Sequence, residues 1–208
     1  MEAMTHERRV GVVVAGGGSR RFGPDEKALA TVGGEPMLRR VVRRVGAATD
    51  AVVVNCRPAQ VPGFRDALAP LDAPLAFVPD RDPGRGPVAG LLTALGAIRA
   101  QRVAAVSCDA PFLDPGLLTD LFEVLTDASV GAAVPEDPAG RAHPLRAVYR
   151  TRPAREACVA ALAADQRSLH AVLERLAVER VPLAATGASD GAFVDVNTPG
   201  DLAAAREP

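Results

Sequence analysis

Short runs of strand-forming residues alternate with helical segments along most of this chain, and that alternation restricts its fold more than any other feature. Residues 10–15 (VGVVVA), 51–55 (AVVVN), 75–79 (LAFVP), 103–107 (VAAVS) and 130–134 (VGAAV) are β-branched or apolar, each ended by Gly, Pro, Asp or Cys. They read as buried strands. Between them, residues 36–46, 64–71, 87–100 and 115–126 have helical periodicity, the last opened by Asp114 and Pro115 as N-cap and first-turn residue. Such an order predicts an α/β fold, a three-layer α/β/α arrangement on a mostly parallel twisted sheet, with ligands beyond the carboxyl ends of the strands. After residue 140 the pattern loosens. It reads as a strand at 143–149, helices at 153–163 and 168–176, a strand at 178–182, a loop at 186–190 and a last helix after Thr198-Pro199. No repeat or linker divides the chain, and 208 residues with 48% hydrophobic content suit one domain, residues 1–8 being expected as a flexible extension. The Pro- and Gly-rich stretches 79–87 and 135–144 read as long loops, where function tends to concentrate.

Several function classes are disfavoured at once. Lys and Arg total 24 against 25 Asp and Glu, a balance without the electrostatic footprint of a nucleic-acid or anionic-membrane binder. With 3% aromatic residues and no Trp, stacking platforms for single strands are missing as well. Cys56, Cys108 and Cys158 are odd in number and far apart, so neither a disulfide framework nor a zinc site is indicated. His6, His143 and His170 lack metal-binding spacing. No apolar run reaches membrane-spanning length and the N-terminus lacks the features of a secretory signal, so a cytoplasmic location is expected.

Gly16, Gly17 and Gly18 directly follow the first strand, where glycine permits positive φ and close approach of backbone N–H groups. A phosphate cradle and a tight turn without ligand are both compatible with that placement. The dinucleotide pattern GxGxxG fails because Arg21 stands where its third glycine belongs. The Walker A pattern fails too, since Pro24-Asp25 follows Gly23 in place of Lys-Ser/Thr. What remains is a loop with Ser19, Arg20, Arg21 and then Lys27, cations suited to a triphosphate whose charge concentrates on departing diphosphate. Arg39, Arg40, Arg43 and Arg44 recur at i, i+4 spacing and read instead as a solvated helix face.

The run V-A-G-G-G-S-R-R-F-G-P-D-E-K-A-L resembles the signature of the molybdenum cofactor guanylyltransferases, nucleotidyltransferases with a Rossmann-like, GT-A-like fold. Further blocks occur in the family's order: Asn55, Asp80 before Gly86-Pro87-Val88-Ala89-Gly90, Cys108-Asp109-Ala110-Pro111-Phe112, His143-Pro144-Leu145, and Phe193 to Leu202. The resemblance implies transfer of GMP from GTP to the terminal phosphate of molybdopterin or Mo-molybdopterin, with release of diphosphate. Ala15, Gly16, Gly17 and Lys27 would contact the phosphates, Asn55 and Asp80 the nucleoside, and Gly86 and Pro87 belong to the segment that favours guanine. Asp109 would hold Mg²⁺, a lone carboxylate that leaves room for phosphate oxygens and waters, although an N-cap or turn role is its alternative. Lys27 and Arg21 would neutralise phosphate charge. Asp195 and Asn197 alternate on an expected short strand, so both would face one way and serve the metal or the pterin. His143 is expected to position substrate or to be structural, because a phosphomonoester acceptor needs no general base. Partners among molybdenum-insertion and molybdoenzyme-maturation proteins are also implied. Asp195 stands where guanylyl members commonly carry Asn and cytidylyl relatives an acidic residue. The alternatives are therefore the same transfer from CTP, or guanylyl transfer to another phosphorylated acceptor.

Overall fold

A computed structural model describes residues 8–17, 26–81, 84–127 and 129–205. The main sheet comprises β1 (Arg9–Val14), β4 (Ala51–Cys56), β5 (Leu75–Pro79), β6 (Arg102–Ser107), β7 (Ala132–Glu136), β8 (Arg146–Arg150) and β9 (Val178–Pro182). Its order is β5-β4-β1-β6-β8-β7-β9. The pairings β1–β4, β1–β6, β4–β5 and β7–β9 are parallel, and only β8 runs against its neighbours β6 and β7. The mostly parallel sheet expected from the strand–helix alternation is therefore what forms.

Both faces of the sheet are covered, and the strands' period of two sorts their side chains. Val13, Val54, Ala104 and Val106 pack against α1 (Met37–Gly46), α2 (Val61–Leu68) and α4 (Pro115–Asp127). Val12, Val14, Val53 and Ala105 pack against α3 (Pro87–Ala97), α5 (Thr151–Ala163) and α6 (Leu169–Leu173). Gly11 allows α1 to lie close on β1, because a Cβ there would come within 2.1 Å of Val45 Cγ1. The chain leaves β1 for β4 and β5 on one side and returns to β6 on the other. A crevice opens at such a switch point, at the carboxyl ends of β1, β4 and β6.

Several element bounds differ from the sequence reading, each for a local reason. The helix read at 64–71 spans Val61–Leu68, since Pro62 fits its first turn and a 3₁₀ turn at Pro58–Gln60 leads into it. The strand read at 130–134 begins at Ala132, and the one read at 143–149 begins at Arg146 after a turn closed by Arg146 N–H donating to His143 O at 3.0 Å. A two-stranded hairpin, β2 (Thr31–Val32) and β3 (Glu35–Pro36), turns through Gly33 and Gly34 at φ of +58° and +81°. No alternation announces it, because each strand has two residues. The short strand expected around Asp195 and Asn197 is a correction. A 3₁₀ turn at Asp190–Phe193 runs into extended chain that forms no strand before α7 (Pro199–Ala204).

The arginine row of α1 is a second correction. Arg39 Nε donates to Ala67 O at 2.6 Å, Arg40 Nε to Pro111 O at 3.0 Å and Arg44 Nη1 to Leu113 O at 2.8 Å. Long arginine stems lie along apolar surface while the guanidinium reaches carbonyls that no helix or sheet satisfies. Arg40 also sits over the Phe112 ring at 5.5 Å, so this row clamps the loop after β6 against α1. Of the four, Arg43 alone has a more than half-exposed, ion-paired side chain, 3.3 Å from Glu35.

Candidate active site

A cleft of about 510 Å³ occupies the crevice at the carboxyl ends of β1, β4, β5 and β6. Its floor begins with Ala15, Gly16 and Gly17, where β1 ends and side chains give way to backbone. The Ala15 N–H extends the β1–β4 ladder by donating to Asn55 O at 2.8 Å, which engages the first N–H of the expected cradle. Gly16 and Gly17 donate to no acceptor among the described residues. Gly16 is required by crowding, since a Cβ there would come within 2.4 Å of Asp80 Oδ2. Arg21, the other expected phosphate ligand of this loop, lies outside the described residues, as do Gly18 to Asp25.

Asn55 and Asp80 form one wall. Asn55 is wholly buried, and its Nδ2 donates to Val78 O at 3.1 Å and to Asp80 Oδ1 at 2.7 Å. Its Oδ1 has no hydrogen-bond partner among the described residues and faces Gly90, where a Cβ would approach within 2.4 Å. Gly86 caps α3 at φ +82° and Pro87 opens the helix, so the positive end of the α3 dipole borders the cleft. The Gly86 backbone is backed by Arg167, whose carbonyl oxygen would lie 3.2 Å from a Cβ at position 86.

The cleft lining also brings together a cation, a carboxylate and an amide. Lys27 opens a 3₁₀ turn (Lys27–Leu29), and its Nζ lies 2.7 Å from Asp109 Oδ2 and 2.9 Å from Asn197 Oδ1. Asp109 and Asn197 are 82 and 170 positions from Lys27 in sequence, yet they meet at its single ammonium. Asp109 follows the end of β6, and its carbonyl accepts the Val196 N–H at 2.9 Å, which draws the late segment across the cleft. Asn197 N–H and Thr198 N–H both donate to Asp201 Oδ2 at 2.8 Å, the cap of α7. Those bonds hold the Asp201 carboxyl below the usual carboxylate range. Cys108 also lines the cleft, but burial pushes its thiol pKa up strongly, which makes it a poor nucleophile.

Asp195 and His143 are placed beside this cleft, not among its lining residues. Asp195 Oδ1 is 2.5 Å from Arg146 Nη2 and borders a neighbouring cavity with Phe112 and Val194. His143 packs its ring on Phe193 at a centroid distance of 4.4 Å, with Nε2 3.2 Å from Asp137 Oδ2 and Nδ1 3.5 Å from Arg146 Nη1. Burial lowers the His143 pKa, and a neutral ring carrying its proton on Nε2 satisfies both neighbours. Its nitrogens are thus committed within the fold.

Two arginines escaped sequence reasoning. Arg57 Nη2 pairs with Glu26 Oε2 at 3.0 Å, tying the residue before Lys27 to the segment after β4. Arg146 is buried at 3% exposure at the start of β8, and an Arg heading the otherwise apolar run Ala147-Val148-Tyr149 was the available signal.

The described residues contain no group of three or more His, Cys, Asp or Glu able to hold a metal by themselves. Asp109, with hard carboxylate oxygens at the cleft, suits a cation whose other positions are filled by phosphate oxygens and water. No helix among the described residues is long and apolar enough to cross a membrane.

The model of a MobA-like NTP transferase domain family matches residues 11–181. A probable molybdenum cofactor guanylyltransferase of Natronomonas pharaonis is 43% identical over 202 residues, covering 96% of this chain and 97% of the relative. One from Haloferax mediterranei is 38% identical, covering 94% and 92%. The crystal structure of molybdopterin-guanine dinucleotide biosynthesis protein A from Archaeoglobus fulgidus superposes with a TM-score of 0.77 at 25% identity, covering 95% of this chain and 97% of that one.

Proposed function

The chain belongs to the MobA-like NTP transferase domain family, and from that premise we propose that it acts as a molybdenum cofactor guanylyltransferase. It transfers GMP from GTP to the terminal phosphate of molybdopterin or its molybdenum-loaded form and releases diphosphate. The observation that carries this reading is the junction of Lys27, Asp109 and Asn197 in the lining of a glycine-floored cleft. One cation and one carboxylate, joined by a neutral amide, suit a reaction in which two polyanions must approach each other.

The nucleotide phosphates lie over Gly16 and Gly17, whose N–H groups are directed at them, with the first turn of α3 adding positive potential. Lys27 Nζ transfers from Asp109 to the phosphates, where it offsets the charge that gathers on diphosphate. Arg21 adds a second cation from the glycine loop. The base rests between Asn55, Asp80 and the Gly86–Gly90 segment, where Gly86 and Gly90, both lining the cleft without a side chain, leave room for a purine. Asp109 would hold Mg²⁺ together with the substrate phosphates, and the ion would supply Lewis-acid neutralisation of the phosphoryl oxygens. The acceptor phosphate enters from the side of Asn197 and needs no general base, being ionised near neutral pH. Asp195 and His143 stand behind that side.

The test is diphosphate release from the purified protein with Mg²⁺, molybdopterin and each of GTP, CTP and ATP. GTP alone is expected to support turnover. Preference for CTP overturns the guanine assignment, and turnover only with a different phosphorylated acceptor overturns the pterin.

A further inference from the structure

Arg146 has no role in the phosphate chemistry, yet it is the most deeply buried described cation, at 3% exposure. A buried charge persists only where its hydrogen bonds are satisfied. Its Nε donates to Ala192 O at 2.9 Å and its Nη2 to Asp195 Oδ1 at 2.5 Å. Nη1 lies 3.5 Å from His143 Nδ1, and the guanidinium is 5.5 Å from the Phe193 ring centroid. All but one of these partners belong to Ala192–Asp195. The next residue donates to Asp109 O, and the one after it accepts from Lys27.

We propose that Arg146 is a positioning residue for the acceptor side of the site. Its planar fork holds Ala192 and Asp195 together, so that Val196 and Asn197 are delivered to the Lys27–Asp109 pair, and it cancels the Asp195 charge beside a cleft built for phosphates. The geometry needs both properties of arginine. A lysine carries the charge but cannot bond the Ala192 carbonyl and the Asp195 carboxylate in a fixed plane. Without the cation, Asp195 becomes a partly buried carboxylate facing Asp109, and its repulsion falls on the incoming acceptor phosphate. His143 completes the arrangement by presenting a lone pair, not a proton, to the guanidinium.

The acceptor assignment rests on the proposed guanylyl transfer, so the test has two arms. In the first, hydrogen exchange is followed at the Val196 amide in the wild type, Arg146→Gln, Arg146→Lys and the double variant Arg146→Gln/Asp195→Asn. Both single variants should lose protection at Val196 while the β1 and β4 amides keep theirs. The double variant, with two neutral amides able to bond each other, should regain most of it. Unchanged protection at Val196 in Arg146→Gln and Arg146→Lys overturns the proposal, and so does equal loss in the double variant. If Arg146→Gln does not fold, Arg146→Lys and the double variant carry the same comparison. In the second arm, steady-state kinetics with GTP and molybdopterin should show kcat/KM for the acceptor lowered roughly 10- to 100-fold in Arg146→Gln, with KM for GTP little changed. A rise confined to KM for GTP overturns the acceptor-side placement. Absence of turnover in the wild type instead removes the guanylyl transfer reading and leaves the exchange arm to decide the grip of Arg146.

Discussion

Lys27 and Asp109 each combine a plain structural contact with a chemical capacity, and substitution separates the two. Asp109→Asn keeps an amide oxygen for Lys27 while removing the charge. Diphosphate release should fall at least about 10²–10³-fold, with the folding transition close to wild type, and a turnover rate within severalfold of wild type would contradict the assignment. At His143 the prediction concerns stability. Burial lowers its folded pKa below the ordinary 6.5, so on acidification the unfolded chain takes up the proton first. The stability gained from the neutral ring is complete above about pH 6.5 and is lost as pH falls through the folded value. His143→Gln should flatten the Tm-against-pH curve below about 6.5, which thermal melts across pH 5 to 8 will read. Lys27 was legible as a loop cation four residues after Gly23, and Asp109 as a carboxylate ending a strand. Their contact was not, because a separation of 82 positions must be closed by folding before it exists.

Among the elements, glycines at close approaches decide what can pack. Gly11→Ala would drive a methyl into Val45 beneath α1, and overpacking of this kind costs about 1–3 kcal/mol in denaturant titrations. Gly90→Ala places the same methyl against Asn55 Oδ1, where the amide must swing away from Val78 and Asp80. That variant should bind GTP more weakly at near-normal helix content, measured by calorimetric titration. Strands and helices were legible in the sequence because their periods are local, and six of the seven main-sheet strands lie within two residues of the reading. The seventh, β8, starts three residues late because Pro144 and Leu145 complete a turn. The arginines of α1 misled for a related reason. Their spacing describes only the helix surface, whereas the carbonyls they reach belong to α2 and to the loop after β6.

At the scale of the whole molecule, the cleft joins the ends of β1, β4, β5 and β6 to the late segment around Asn197, so ligand binding couples distant parts of the chain. GTP with Mg²⁺ at about 100 times its Kd should raise Tm by roughly 5–10 °C. Lys27→Met should lose most of that shift at the same nucleotide concentration. By itself the sequence determined the layered α/β fold, the glycine floor after β1 and the chemical types available at the site, since periodicity, backbone freedom and ionisable groups are local properties. Only the tertiary structure decided that Lys27, Asp109 and Asn197 share one point, that Arg146 holds Asp195, and that His143 turns inward. Those outcomes depend on which strand ends lie side by side and on which buried polar groups must then find partners, and neither is encoded in the spacing along the chain.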